Sequence, residues 1–446
     1  KVHQEQHKPL RILLSAFTHA AINNLLNGLS KRLSKLNISI PIYKCGEQPV
    51  LDDKARVPIL DAEDLLEFSK ITNENDILIY SGTSYAFGKI VKETKKNPHA
   101  PIDYLIIDEG SQMTVPQAAQ IWPLLNEHTR IVLAGDHYQL PPIIKGEYSP
   151  PIDQEPLLTR SIFEALQYSD ALAQNSGVPF NNIVFPLLEG WRMNESLTQF
   201  SRENLYTMTQ QDKHSVEHGY SPATNQVATQ KSPIVPQTDD LLRFILAPEH
   251  AMILCIFEET DHVHENPYEA HLCTTITAAL RTSLKQKDED FVVTDLYPET
   301  EDGDQKFWKN GLFIVSPHHV QIREIKRQLK EKRQWLAEPF VDTVDKMQGQ
   351  EAEVVLISYG IADVEQAELE SEFIYNRNRL NVSITRAKSK SIVMLSRQLL
   401  RGSAQVLNSD DASIGLDYMQ KLETWCKDGE TVRSTYNGKN LTVHRR

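Results

Sequence analysis

The sequence has few cysteines and no long apolar runs. Its four cysteines are far apart, none forms a CxxC pair, and no nearby histidines have zinc-finger spacing. This argues against a zinc site or a disulfide framework. It predicts that the protein is located in the reducing cytoplasm, or in the nucleus if the source is a eukaryote. No stretch approaches the roughly 20 apolar residues that span a bilayer. The first residues, KVHQEQHKPL, contain no apolar signal core. We therefore expect neither a membrane partner nor export.

Basic residues are also in deficit, because the formal net charge is −13. This argues against a surface uniformly basic for nucleic acid, although a basic groove can exist on an acidic body. The composition is otherwise ordinary, with 40% hydrophobic and 24% charged residues. The 446 residues therefore predict a folded protein of two or three domains.

Short β-branched runs are typical of buried parallel strands. Most of them end in Thr, Ser, Gly or Asp, as expected where strand ends face a ligand. The runs are RILLSAFT from Arg11, DILIYSGT from Asp76, YLIIDE from Tyr104, RIVLAGD from Arg130, LFIVSP from Leu312, VVLISYG from Val354 and SIVML from Ser391. Helical patterns alternate with them, so the sequence predicts doubly wound α/β layers.

Two of these helical patterns have recognisable signals. One has an apolar stripe at helical spacing, formed by Ile22, Leu25, Leu26, Leu29 and Leu33. In the other, SPHHVQIREIKRQL, Ser316 is the expected N-cap and Pro317 the first helical residue.

The strands fall into two groups, separated by a segment rich in proline and charge. We expect a first domain at 1–165, a second at 166–430 and a C-terminal tail at 431–446. Polar insertions are expected near 207–245 and 285–310, both as surface excursions.

Two strand ends carry groups suited to phosphate chemistry. Asp108 and Glu109 end one buried strand, where one carboxylate can hold magnesium through water and the next can orient a water molecule. Gln139 follows another strand, where its amide can sense a phosphate. The alternative for Asp108 and Glu109 is a pair of solvated acids, and for Gln139 an exposed loop amide.

The segments DEGSQ and GDHYQLPP resemble motifs II and III of superfamily 1 helicases. The match is closest to the up-frameshift-like branch, which contains the nonsense-mediated-decay RNA helicase and helicase-nucleases. Further matches follow in that family's order, from about Arg11 to about Leu395. They are LLSAFTHAAINNLL, YSGTSYAFGK, LLEGWRMNESLTQFSRENLY, VDTVDKMQGQEAEVVLISYG and NRNRLNVSITRAKSKSIVML. The resemblance implies two tandem RecA-like domains with an ATP cleft between them, and 5′-to-3′ movement on single-stranded DNA or RNA.

The resemblance also implies roles for individual residues. Arg192 and Arg386 match the arginine fingers, for which the alternatives are a surface salt bridge and a basic helix face. Trp191, where the family usually has Tyr, matches the adenine-stacking position, and a core tryptophan is its alternative. Gly349 and Glu351 match positions near the γ-phosphate and ribose. The positions facing nucleic acid are Thr18, His19, Thr83 and Thr343, although a lone Thr is more often a helix N-cap.

The family's GxxxxGK[ST] phosphate loop has no match in the sequence. We expect an upstream segment or a second chain to supply this loop together with the strand that leads to it, the Walker A strand. With that strand present, we expect the chain to be an ATP-hydrolysing, Mg²⁺-dependent helicase. We also expect the strands before Thr18 and Asp108 to lack a neighbour without it. The alternative is a non-hydrolysing, helicase-like scaffold that binds nucleic acid or partner proteins.

Overall fold

The computed structural model describes most of the chain. The described residues are 10–45, 59–60, 77–94, 102–144, 158–166, 187, 189–190, 192–206, 221–222, 240–258, 262, 264–287, 293–347 and 349–446. The chain divides into two compact units, Lys1–Ile183 and Val184–Arg446, so the division lies later than the predicted boundary after residue 165. The predicted insertion near 207–245 lies mostly outside the described residues. Within them, every helix is too short or too polar to span a bilayer.

The first unit contains a six-stranded sheet with the order β3-β2-β4-β1-β5-β6, in which every pairing is parallel. Its strands are β1 (Leu10–Ala16), β2 (Ile42–Cys45), β3 (Ile59–Leu60), β4 (Ile77–Thr83), β5 (Tyr104–Asp108) and β6 (Arg130–Leu133). Its helices are α1 (His19–Lys35), α2 (Ser84–Thr94) and α3 (Val115–Ala119). In α1, the predicted stripe buries Ile22 and Leu26 completely. The α/β fold class is thereby confirmed in this unit.

The strands that end at the candidate residues have neighbours on both sides, contrary to our expectation. β1 lies between β4 and β5, and β5 lies between β1 and β6. The edge of the sheet next to β5 is β6, because no described strand pairs with its other side; β3 forms the opposite edge. Ile131 and Val132 of β6 are 49% and 47% exposed, which is unusual for a strand of this composition.

The second unit contains a seven-stranded sheet with the order β13-β12-β14-β15-β9-β17-β16. The five strands from β13 to β9 are parallel, and the last two form an antiparallel hairpin. They are β9 (Met252–Phe257), β12 (Leu312–Val315), β13 (Val341–Asp342), β14 (Ala352–Ser358), β15 (Ala387–Ser396), β16 (Glu430–Tyr436) and β17 (Lys439–Arg445). Two small two-stranded pairings accompany it, β7 (Glu189–Gly190) with β8 (Ser221–Pro222) and β10 (Lys285–Lys287) with β11 (Val293–Asp295).

The helices of the second unit cover this sheet. They are α4 (Glu195–Ser201), α5 (Asp240–Leu246), α6 (Pro267–Ser283), α7 (Glu301–Lys306), α8 (His319–Lys332), α9 (Val364–Leu369), α10 (Ser371–Ile374), α11 (Arg377–Thr385), α12 (Ala404–Asn408) and α13 (Asp410–Lys427). The prediction for α8 was wrong in detail. The helix starts after His318, and the Ser316 hydroxyl accepts a hydrogen bond from the His318 amide at 3.3 Å, so Ser316 ends a turn instead of capping the helix.

Two other expectations are corrected. The segment near 285–310 is not a surface excursion, because Tyr297, Phe307 and Trp308 belong to the main core of the second unit. The tail at 431–446 is a β hairpin, in which β17 pairs with β9 and its Val443 is fully buried. In both cases nonlocal packing buries the apolar residues of a segment whose composition is largely polar.

Candidate functional site

The carboxylates of Asp108 and Glu109 lie at the carboxyl end of β5. Burial raises the pKa of Asp108, and a hydrogen bond from the Glu109 amide to the Asp108 Oδ1, 3.0 Å long, opposes that rise. Glu109 has a left-handed backbone, with φ of 53°, which a glutamate adopts at a cost in energy. Its Oε2 accepts a hydrogen bond from the Gln112 side chain at 3.1 Å. The two carboxylates are therefore held by a tightly specified turn.

The loop after β6 is joined to this turn. The Gly110 amide donates to the Ala134 carbonyl at 2.8 Å. A Cβ at Gly135 would lie 3.0 Å from the Ser111 nitrogen, so the two backbones approach closely only because Gly135 lacks a side chain. Gln139 lies in the same loop, and its amide group donates to Asp136 at 3.3 Å. The structure therefore places the Asp108–Glu109 turn and the loop of Gln139 side by side.

The predicted nucleic-acid residues of the first unit also lie at the carboxyl edge of this sheet. Thr18 is the N-cap of α1, and its hydroxyl accepts a hydrogen bond from the Ala21 amide at 3.1 Å. His19 is the first residue of α1. The Thr83 hydroxyl accepts from the Ala86 amide at 3.2 Å, in the first turn of α2. Both threonines thus have the capping role that we considered as the alternative. Both also lie at the carboxyl edge of the sheet.

In the second unit, Arg192 and Glu351 form a salt bridge. The Arg192 Nε donates to Glu351 Oε2 at 2.9 Å, and Lys388 Nζ lies 2.6 Å from Glu351 Oε1. Burial acts to raise the pKa of Glu351, but the hydrogen bonds and charges of Lys388 and Arg192 outweigh it and lower the pKa. Lys388 was missing from the predicted site, although its place in TRAKSK, two residues after Arg386, was a signal.

Gly349 and Arg386 lie near this cluster in sequence, because Gly349 precedes Glu351 and Arg386 precedes Lys388 by two residues each. Arg386 is 1% exposed, and its carbonyl accepts a hydrogen bond from the Ala352 amide at 3.1 Å. A second Arg192 nitrogen donates to the Thr385 carbonyl at 3.4 Å, so Arg192, Glu351 and Arg386 are brought together. Gly349 has φ of 70°, a conformation that favours glycine.

Thr343 follows β13, and its amide donates to the Asp342 carboxylate at 2.8 Å. Trp191 lies outside the described residues. In the part of the chain that the structure describes, no group of three His, Cys, Asp or Glu residues can hold a metal ion. The four cysteines are buried and free.

Comparisons with known proteins agree with these motifs. An AAA domain model matches residues 158–398, more than half of the chain, and a second AAA domain model matches 69–147. The chain is 25% identical over 419 residues to the "DNA replication ATP-dependent helicase/nuclease dna2" of Schizosaccharomyces pombe, covering 89% of this chain and 25% of that protein. It is 25% identical over 343 residues to the "DNA polymerase alpha-associated DNA helicase A" of Saccharomyces cerevisiae, covering 74% and 42%.

A third relative is the "Probable helicase MAGATAMA 3" of Arabidopsis thaliana, 26% identical over 346 residues, covering 76% of this chain and 34% of that protein. The chain thus spans less than half the length of each of these relatives. The motifs, their order and the family models agree, and the chain belongs to the AAA-domain family of superfamily 1 helicases, in the up-frameshift-like branch.

Proposed function

We propose that this chain is the core of an ATP-dependent translocase or helicase that moves 5′ to 3′ along single-stranded DNA or RNA. The observation that supports it best is the strained, hydrogen-bonded turn of Asp108 and Glu109, joined at the carboxyl edge of a parallel sheet to the loop of Gln139. Ligands of open α/β sheets bind at this edge, and backbone strain is retained where function requires a fixed geometry.

Asp108 fits a water-mediated magnesium ligand, and Glu109 fits the group that orients a water molecule. One partly buried carboxylate suits Mg²⁺, which keeps several waters and needs few protein ligands. When bound, the ion would neutralise charge on the triphosphate. The positive φ of Glu109 ends the extended backbone of β5, and the hydrogen bond from Gln112 restricts the rotamers of the Glu109 side chain. Gln139 would sense the phosphate through its amide.

In the second unit, we assign the charged cluster to the nucleotide as well. Arg192 is 36% exposed on its side chain, so its guanidinium can reach an anion while Glu351 orients it. The left-handed backbone at Gly349 permits a close approach to phosphate. Arg386 would be the second finger, Glu351 would bind ribose and Trp191 would stack on adenine, as the family pattern implies. Thr343 would contact the nucleic-acid backbone, together with Thr18, His19 and Thr83.

The open edge of β6 supports the proposal that another segment supplies the Walker A strand. A parallel strand there would pair with the outer backbone groups of β6, which face no described strand, and would cover Ile131 and Val132. Covering two such side chains would stabilise the first unit by about 2 kcal/mol, on the usual scale for partial burial of aliphatic groups. The edge is next to the loop of Gln139, which is where a phosphate-binding loop would be needed.

The test is ATP turnover by the full-length protein, measured without nucleic acid and with single-stranded DNA or RNA. We expect a single strand to stimulate turnover and Glu109→Gln to abolish it while ATP binding is retained. Glu127→Gln is the matched control, because Glu127 is an exposed residue in the turn before β6 and should have no effect. If Glu109→Gln hydrolyses ATP as fast as the unaltered protein, the proposed role of Glu109 is refuted. If the unaltered protein binds nucleic acid but hydrolyses ATP no faster than Glu109→Gln, the scaffold alternative is favoured.

A further inference from the structure

Tyr85 is an exposed aromatic residue at the nucleic-acid edge of the first unit. It is the second residue of α2 and is 67% exposed. Its neighbours Phe87 and Ile90 face inward and are 0% and 2% exposed, so they fix the helix against the core. A Cβ at Gly88 would lie 2.9 Å from the Gln120 side chain, so this face of α2 also packs closely. Tyr85 therefore projects from a rigid helix and fills no part of the core.

Lys89 shares the exposed face of α2 with Tyr85, one helical turn later. Its Nζ lies 4.8 Å from the centre of the Tyr85 ring, within cation–π distance. Lysine and tyrosine in this arrangement present a positive charge beside a flat aromatic surface. This combination matches a nucleotide of a single strand, which offers a phosphate beside the flat face of a base.

The surroundings of this pair favour an anion. The ends of β1 and β4 are adjacent, because Ala16 pairs with Thr83, and so α1 and α2 begin side by side. Neither helix has an acidic residue in its first turn, although the chain carries a net charge of −13. Two helix N-termini add partial positive charge at the same edge. Lys44, in β2, is buried, and its ammonium donates to the Asn23 side chain of α1 at 2.8 Å.

We propose that Tyr85 stacks on a base of the bound single strand and that Lys89 contacts the adjoining phosphate. This inference rests on the proposed function and extends it from backbone contacts to a base contact. Stacking reads the flat face that every base has, so the pair would strengthen binding without selecting a sequence. The ribose and deoxyribose would be equivalent to it, so we expect the same contribution on DNA and RNA.

The experiment measures equilibrium binding of the full-length protein to fluorescent oligothymidine and oligouridine strands and to an abasic strand of equal length. Tyr85→Ala should weaken binding to both base-containing strands about tenfold, and Tyr85→Phe should leave it within about twofold. On the abasic strand, Tyr85→Ala and the unaltered protein should bind alike. Lys89→Gln should reduce the salt dependence of log K by about 0.7, whereas Lys35→Gln, in the last turn of α1, should not.

The outcomes separate this inference from the proposed function. If the unaltered protein binds the base-containing strands and Tyr85→Ala binds them equally well, the stacking role is refuted and the helicase proposal stands. An equal loss on the abasic strand would also refute stacking, because the effect would then not depend on a base. If the unaltered protein binds no single strand at all, the proposed function and this inference both fail.

Discussion

Replacing Asp304 with alanine should destabilise the second unit severely. Asp304, in α7, is fully buried and accepts hydrogen bonds from Arg281 Nε at 2.7 Å and from the Leu336 amide at 2.8 Å. The side chain of Arg281 is 1% exposed and donates also to the carbonyls of Tyr297 and Pro298, at 2.5 and 2.7 Å. The alanine variant would leave the guanidinium buried without its counter-ion.

The magnitude follows from these contacts. Removing one partner of a buried ion pair typically costs 3–5 kcal/mol, and the Leu336 amide would lose its acceptor as well. Since whole domains are stable by only about 5–15 kcal/mol, a loss of about 4 kcal/mol would bring the second unit close to unfolding. The double variant Arg281→Met, Asp304→Ala removes both charges, so we expect it to recover about 2 kcal/mol of that loss.

Urea denaturation followed by tryptophan fluorescence measures this directly. Trp308 and Trp335 pack against one another, with ring centroids 4.7 Å apart, in the core beside this ion pair. Asp302→Ala is the matched control, because Asp302 lies in the same helix, is 66% exposed and pairs with the exposed Lys306. A loss below about 1 kcal/mol for Asp304→Ala, or a double variant less stable than the single one, would refute the reasoning.

Three further changes test local features of the structure. In α1, Gly28→Ala should raise stability by about 1 kcal/mol, because a Cβ there meets nothing within 4 Å. In α13, Gly415→Ala should lower stability by about 3 kcal/mol, because the added Cβ would lie 1.4 Å from the Tyr375 carbonyl oxygen. Thermal unfolding of the Gly28→Ala and Gly415→Ala variants measures both effects. Burial raises the pKa of Glu269 to about 8, so the folded state retains a proton that the unfolded state releases above its ordinary pKa. Stability should therefore fall as pH rises from about 4.5 to about 8, and Glu269→Gln should flatten that slope in urea titrations at several pH values.

The sequence predicted the strands that lead to the site because their signal is local. A short apolar run that ends in Asp or Thr identifies β4 and β5 without knowledge of their neighbours. β9 was not predicted, because its six buried apolar residues end in no such marker. The C-terminal hairpin did have a local signal, Asn437-Gly438, and both residues have positive φ. The prediction of a tail was therefore wrong, although the turn of the hairpin is visible in the sequence.

The packing of the segment near 285–310 could not be predicted from its sequence, since one of its acids, Asp304, is buried against a residue outside the segment. Arg281, on α6, pairs with Asp304, and nothing in the spacing of the two residues indicates the contact. The order of strands around the site could not be predicted either, because it also depends on contacts between residues that are distant in sequence. Which strand lies at the open edge depends on pairings between distant segments, so the exposed edge of β6 emerged only from the fold.

The two predicted arginine fingers were equivalent in the sequence, but their environments differ in the structure. Arg192 is 36% exposed on its side chain and is held by Glu351, so replacing it removes a partly solvated charge. Arg386 is 1% exposed, and its backbone carbonyl helps to join α11 to β14. A loss of turnover in Arg192→Ala would therefore report on the nucleotide site, whereas the same loss in Arg386→Ala could come from a disturbed core. Only a variant of Arg386 that retains the unfolding temperature of the unaltered protein can decide whether that arginine acts on the nucleotide.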